Sequence, residues 1–383
     1  MKPKQKAETK NQKEKTEKKR EVKQERKGNS TTSVLQTATM RTIIRTLTAI
    51  VLLLAIAQGA LLLFSVRTSE LAAQLAGTQQ TERGGTPILQ RTLSRLPILP
   101  FNLGNRPLAA VIIENHEDAR PHQQGLTQAL LVQEWPVEGF ISRFVAVLDT
   151  RQLPEIVGPV RSLRPYFVDG LLPWTMVVYH AGGSPEAYDR IASTAKLRSV
   201  NGLTGHYYGQ FIRKEGISAP HDFFVLRESI EQDSRQAKLA TVAWPPYSEG
   251  GMVNGESAQV IAVNYASKNH NVTYAYMPST KRYLRANGEV NAQATPANVL
   301  FLEIPIQEIG AYGRLTIPTT GNGHALLFRD GMAYRGTWSR SRTNEWFSFT
   351  SEQGETLRFA RGQTWMTILP SLSKVSWNNN ETE

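Results

Sequence analysis

Cysteine is absent from this 383-residue chain. That excludes disulfide bonds, thiolate-bound zinc, thiol catalysis and a lipid-modified N-terminal cysteine. His116, His180 and His221 lack the H-E-x-x-H spacing of a zinc-binding helix. Ser184 does not stand in a G-x-S-x-G turn, so a nucleophilic serine is not indicated there. No repeat of fixed period runs through the chain. What is present is enough to build cores: 40% of residues are hydrophobic and seven are tryptophan. A wholly disordered chain is therefore excluded.

The formal charge of +11 resembles a nucleic-acid signal until it is located. Residues 1–45 hold 14 Lys and Arg against 5 acids, and the other 338 hold 30 against 28. The basicity thus belongs to a tail, and no nucleic-acid partner is expected for the folded domains. Residues 1–45 are rich in Lys, Gln, Glu and Thr. They have too little apolar surface to offset chain entropy, and the sequence predicts a disordered, basic cytoplasmic tail. Anionic lipid is the partner expected for it, ahead of nucleic acid, because interspersed Glu dilute its positive field.

Residues 46–66 carry no charge, with Arg45 before them and Arg67 after. As a helix they would span roughly 31 Å, close to a bilayer core. A cleavable signal peptide is the rival reading, but its apolar region is usually shorter and no small-x-small site follows Val66. The reading adopted is an uncleaved signal-anchor in the cell membrane. It is single-pass, with Arg41, Arg45 and the Lys23, Arg26, Lys27 cluster keeping the N-terminus cytoplasmic and the C-terminus outside. Residues 67–105, punctuated by Gly and Pro, read as a stalk.

Two folded domains are expected beyond it. In 106–249, apolar runs at 107–114, 140–148 and 175–180 read as strands. Ser184 before Pro185 opens a helix to about residue 194, and 227–239 reads as another. This predicts an α+β or α/β domain. Pro245-Pro246 and Gly250-Gly251 mark the boundary. In 250–376, short runs at 260–264, 272–276, 299–304, 315–317, 324–329 and 365–369 alternate with turns, as in an all-β domain. Asp330-Gly331 is a hairpin signal. Trp338, Trp346, Trp365, Tyr334 and Phe347 read first as core and second as a platform for sugar rings. Residues 377–383 are expected to be a disordered tail.

In the first domain the polar residues gather where strands end, which is where sites are commonly built. Glu114, His116 and Arg120 follow the first strand. Glu134 and Glu138 bracket an expected turn before Arg143. Arg161 and Arg164 lie near Pro159. His180 precedes Gly182, Gly183 and Ser184, and His221 follows Ala219-Pro220. Glu134 and Glu138 have the look of a carboxylate pair for glycoside hydrolysis; ion pairing with Arg143, Arg161 and Arg164 is the plainer reading. The two arginines could instead clamp a carboxylate or phosphate. The Gly182-Gly183-Ser184 turn could cradle an anion, or simply cap a helix. No metal and no cofactor are expected from these spacings, although a metal site assembled from separate loops stays open.

Together these segments resemble a bacterial envelope family, the YerB-like lipoproteins. In the first domain the resemblance rests on Arg106-Pro-Leu, Ile-Glu-Asn-His116, Ala-Arg-Pro121, Val-Glu-Gly139, Ser-Arg-Phe144, Gly158-Pro-Val-Arg-Ser, His180-Ala-Gly-Gly-Ser184 and Ala219-Pro-His221. In the second it rests on Leu-Phe-Arg-Asp-Gly331, Gly336-Thr-Trp-Ser-Arg340 and Gly362-Gln-Thr-Trp365. It covers roughly residues 105–370. It implies a two-domain, membrane-tethered, extracytoplasmic protein and supplies no reaction. Members often carry a lipobox cysteine; here the apolar run takes its place.

Three functions are therefore expected in order. The first is a cleft in the first domain that binds an anionic or cell-wall carbohydrate ligand through His116, Arg120, Arg143, Arg161, Arg164, Gly182, Gly183 and Ser184. The second is a cell-wall polymer hydrolase using Glu114, Glu134 or Glu138 as acid or base, helped by His180 or His221. The third is a membrane scaffold that gathers cell-wall or envelope protein partners.

Overall fold

The structure, a computed structural model, describes residues 107–207, 209–237, 252–265, 267–309 and 313–378. The tail at 1–45, the apolar run at 46–66 and the stalk at 67–105 lie outside the described residues, as does the boundary at 245–251. Among the described residues no helix is long and apolar enough to cross a membrane.

The first half contains β1 (Leu108–Glu114), β2 (Ala129–Pro136), β3 (Ser142–Asp149), β4 (Ile156–Val157), β5 (Met176–His180), β6 (Leu197–Asn201), β7 (Phe211–Arg213) and β8 (Phe223–Leu226). Helices α1 (Pro165–Leu171), α2 (Pro185–Ala192) and α3 (Arg227–Gln236) alternate with them. The second half is nearly all strand: β9 (Glu256–Ser257), β10 (Val260–Val263), β11 (Val272–Met277), β12 (Arg282–Asn287), β13 (Val290–Ala294), β14 (Asn298–Glu303), β15 (Gln307–Ile309) and β16 (Arg314–Thr316). It continues through β17 (Gly321–Arg329), β18 (Met332–Arg340), β19 (Ser348–Ser351), β20 (Thr364–Leu369) and β21 (Val375–Asn378). A mixed α/β half is thus followed by a mostly β half, as the apolar runs predicted.

The two halves share one sheet. Its order is β19-β18-β17-β14-β20-β2-β3-β1-β5-β6, with β9 paired to β18. The seam is β20 lying parallel to β2, with Leu131 opposite Thr364 and Glu134 opposite Thr367. A second sheet, β13-β12-β11-β10-β21, is antiparallel throughout. A three-stranded sheet, β4-β8-β7, and the β15-β16 ribbon complete the set.

β1 explains how the layers stack. All seven of its residues are buried, because both faces of a central strand are covered. Leu108, Ala110 and Ile112 face one core, with Phe167 and Leu171 of α1, Ile191 of α2 and Trp338 of β18. Ala109, Val111 and Ile113 face the other, with Ile230 of α3, Val225 of β8, and Ile261, Tyr274 and Tyr283 of the second sheet. Each fully buried Val, Leu, Ile or Phe among them contributes about 1.5–3 kcal/mol.

Several expectations change. The sequence predicts a turn from Glu134, but Glu134 lies inside β2 and is buried. The helix expected over 227–239 ends at Gln236. A disordered tail is expected over 377–383, but Trp377 and Asn378 pair with Ile261 and Val260 in β21, and residues 379–383 lie outside the described residues. Trp338, Trp365, Tyr334 and Phe347 are buried, and Trp346 packs on Trp174 with ring centres 4.8 Å apart. The aromatic platform is therefore core. The Asp330-Gly331 signal does make the β17–β18 hairpin: both residues have positive φ, 52° and 75°, as a tight hairpin turn of that type needs.

Candidate functional site

β1 is an interior strand of the sheet, between β3 and β5, and delivers Glu114 at its end. Pairing continues past it, for the Glu114 N–H donates to the Pro159 carbonyl at 2.9 Å. Two loops then close on the Glu114 carboxylate. From one side Arg161 donates from Nη2 to Oε1 at 2.5 Å. From the other, the β7–β8 loop brings His221, whose Nδ1 lies 2.9 Å from Oε2. That loop is closed at its neck by Lys214 N–H to the Asp222 carbonyl at 2.8 Å and by an Arg213–Asp222 ion pair at 2.7 Å. A carboxylate only accepts, so His221 carries its proton on Nδ1 and turns Nε2 outward.

Nε2 of His221 faces Asp118, 3.8 Å from Oδ2. Nδ1 of His116 approaches the same oxygen at 3.4 Å. The two imidazole rings stack nearly parallel, with centres 5.3 Å apart and planes at 17°. One donor atom from each of His116, Asp118 and His221 lies within 4.8 Å of the others.

This cluster borders a cleft of about 1180 Å³. Asp118, Arg120, His122 and His221 come from the first half and Lys268 and Glu289 from the second. The halves are tied together across its floor. The buried Arg120 donates from Nε to Asn115 Oδ1 at 3.2 Å and from Nη1 to the Asn269 carbonyl. Asn269 donates to Glu117 at 2.7 Å, and Gln293 donates to Asn115 Oδ1 at 3.3 Å. Lys268 and Glu289 carried no sequence signal, because they lie in ordinary turns of the second half. Asp118 was visible in the motif loop, but nothing local distinguished it from a solvated acid.

The other predicted residues lie elsewhere. Glu134 is buried against Arg285 of β12, 3.0 Å from its Nη2, and also accepts from Ser142 (2.7 Å), Trp365 (2.8 Å) and Thr367 (3.1 Å). Burial alone would raise its pKa; Arg285 and the three hydrogen bonds outweigh that and hold it below the ordinary range. Glu138 receives a two-pronged bond from Arg164, 2.7 Å on each prong. Its pKa is also lowered, Arg164 outweighing burial. A carboxyl kept protonated for general-acid work needs the opposite surroundings to those of Glu134 and Glu138.

Arg143 is turned inward and donates to the Ser162 carbonyl at 2.9 Å. Burial, followed by repulsion from Arg164, pushes its pKa down to about 10. Ser184 caps α2 by accepting from the Ala187 N–H at 3.3 Å. The Gly182 N–H is taken by Asn201 Oδ1 and the Ser184 N–H by the Leu163 carbonyl. Gly183 forms a bridge with Leu163. The turn is used by the protein itself. His180 is buried; its Nδ1 donates to the Gly182 carbonyl at 2.8 Å and its Nε2 accepts from Ser199 at 2.7 Å. Arg164 and Ser184 border a separate cavity of about 550 Å³. Of the predicted residues, Arg120 and His221 line the larger cleft, with His116 and Glu114 behind them through their contacts to His221 and Arg161 through Glu114, while Glu138, Arg164 and Ser184 line the smaller one.

Comparison with known proteins agrees with the residues that carried the resemblance. The family described as protein of unknown function (DUF3048) matches through its N-terminal domain at residues 97–240 and its C-terminal domain at 261–366. YerB of Bacillus subtilis (strain 168), which carries a lipoprotein name, is 30% identical over 290 residues, covering 72% of this chain and 85% of YerB. The crystal structure of YerB from Bacillus subtilis superposes with a TM-score of 0.61 at 28% identity, covering 71% of this chain and 93% of that one. The chain belongs to the DUF3048, YerB-like family.

Proposed function

We propose that this member of the YerB-like family is an extracytoplasmic protein of the cell envelope, anchored through residues 46–66, that binds a polar ligand in the cleft between its two halves. The ligand class is an anionic or carbohydrate component of the cell wall. A lipoprotein is held at the membrane by its lipid; with no cysteine to modify, the uncharged run at 46–66 supplies the tether here.

The observation that carries this reading is the cleft of about 1180 Å³, walled by charged side chains from both halves. Pockets for drug-sized ligands span about 300–1,000 Å³ and are mostly apolar. This one is larger and polar, which suits a segment of glycan or glycopeptide. Arg120 and Lys268 supply cationic groups, and the Arg161–Glu114–His221 chain fixes one end.

The test is a thermal-shift screen of the full chain in detergent with muropeptides and cell-wall glycans. Stabilisation is expected, and it should be lost in Lys268→Glu, an exposed position whose change leaves the cores intact. A folded protein that shifts with none of these ligands would sink the proposal. A shift unchanged in Lys268→Glu would move the ligand out of this cleft.

A further inference from the structure

The cluster at the cleft's edge goes beyond ligand binding. We infer that His116, Asp118 and His221 bind a divalent transition-metal ion of the zinc type. Two imidazoles and a carboxylate are the donor set such ions accept, whereas calcium and magnesium favour all-oxygen shells.

Three observations carry it. The first is spacing. Zinc bonds of about 2.0–2.1 Å put neighbouring donors about 3.3 Å apart in a tetrahedral shell. Here Asp118 Oδ2 is 3.4 Å from His116 Nδ1 and 3.8 Å from His221 Nε2, and all three donors fall within 4.8 Å. The second is the support behind His221. Metal-bound histidines usually donate their other N–H to a carboxylate, which fixes the ring and its tautomer. Glu114 does this at 2.9 Å, and is itself held by Arg161 at 2.5 Å. The third is the weakness of the contacts that the donors make with one another. The Asp118 N–H reaches His116 Nδ1 at 3.4 Å, long for a hydrogen bond, and the acid–imidazole contacts at 3.4 and 3.8 Å are no shorter.

Three protein donors leave at least one coordination position. Asp118 and His221 both line the cleft, so that position opens onto it. Metal sites with three protein ligands and an open place are those that bind and polarise an oxygen of a ligand or of water. The metal claim stands without the cell-wall ligand, because the ion alone is the probe.

The experiment is calorimetric titration of the full chain, untagged and stripped with chelator, with ZnCl2, repeated with CoCl2 while recording the visible spectrum. One ion per chain is expected, with cobalt bands of a four- or five-coordinate site. Asp118→Asn and His116→Ala should each weaken binding at least tenfold; both side chains are more than a third exposed, so neither change endangers the fold. Glu114→Gln should weaken it about 10–100-fold through His221. His206→Ala, which removes a histidine outside the donor cluster, should bind as the unaltered chain does. Absence of saturable binding would overturn the assignment. So would equal binding by Asp118→Asn and His116→Ala.

Discussion

Glu134 and Arg285 lie 151 residues apart in sequence and meet where no water reaches either. Arg285 is also flanked by Trp365, with its guanidinium carbon 4.3 Å from the ring centre, and by Phe144 at 5.5 Å. Removing one partner of such a pair strands a buried charge and costs about 3–5 kcal/mol, whereas replacing both with apolar groups is often close to neutral. Arg285→Met should therefore destabilise the protein by about 3–5 kcal/mol in denaturant melts. Glu134→Leu combined with Arg285→Met should be less damaging than the single change. Losses that merely add would show that the two groups act independently. His180 gives the pH counterpart. Burial lowers its pKa, against the weaker opposing effect of its bond to the Gly182 carbonyl. The folded chain therefore protonates His180 only at lower pH than the unfolded chain, which does so below about pH 6.5. The unfolded state then binds more protons, so stability falls as pH drops below that value, by at most about 1.4 kcal/mol per pH unit for this group. Melts at pH 7 and pH 5 should differ more for the unaltered chain than for His180→Gln. An identical difference in both would remove His180 from the account.

At the scale of elements, the chain announced those whose burial follows from local pattern. β1, β3 and β5 are continuous apolar runs, and α2 begins at the predicted cap, Ser184, with Pro185 at its first position. β2 was illegible for a physical reason. Gln133 and Glu134 break its apolar run, and the partners that make their burial tolerable come from distant segments: the Gly170 carbonyl for Gln133, and Arg285 and Trp365 for Glu134. Pairing across such distances leaves no periodic trace. The same holds at the cleft. Sequence could place Glu114, His116 and His221 at strand ends, but the 107-residue gap between Glu114 and His221 is closed only in the fold, where Glu114 bonds to Pro159 and the neighbouring Val160 bonds to Phe223 at the start of β8. Gly336 illustrates a motif residue whose reason appears only in three dimensions: it lies in β18, where a Cβ would collide with the Thr350 carbonyl of β19. The glycine lets an outer strand seat against its neighbour.

For the whole molecule, the two sequence-defined halves and the unit of folding are different things. Family models separate near residues 241–260, where Pro and Gly cluster. The sheet ignores that division, since β20 of the second half lies between β14 and β2. Both cores contain side chains from both halves: Val145 with Trp338 and Met366 in one, Phe144 with Tyr274 and Trp365 in the other. A chain ending at residue 249 would leave β2 as a bare edge and expose half of each core to water, at about 25 cal/mol for each Å² uncovered. The expected outcome is that such a chain does not fold, while the full chain unfolds in one transition that coincides by far-ultraviolet circular dichroism and tryptophan fluorescence. Two separated transitions, or a dispersed amide spectrum from the shortened chain, would contradict this. The cleft depends on the same fact. Arg120 and Glu117 reach Asn269 across it, so its walls are positioned by the packing of the second sheet, which carries Lys268 and Asn269, against the first half. Neither half alone would hold the Lys268 and His221 sides at binding distance, and ligand affinity should rise and fall with the stability of the whole.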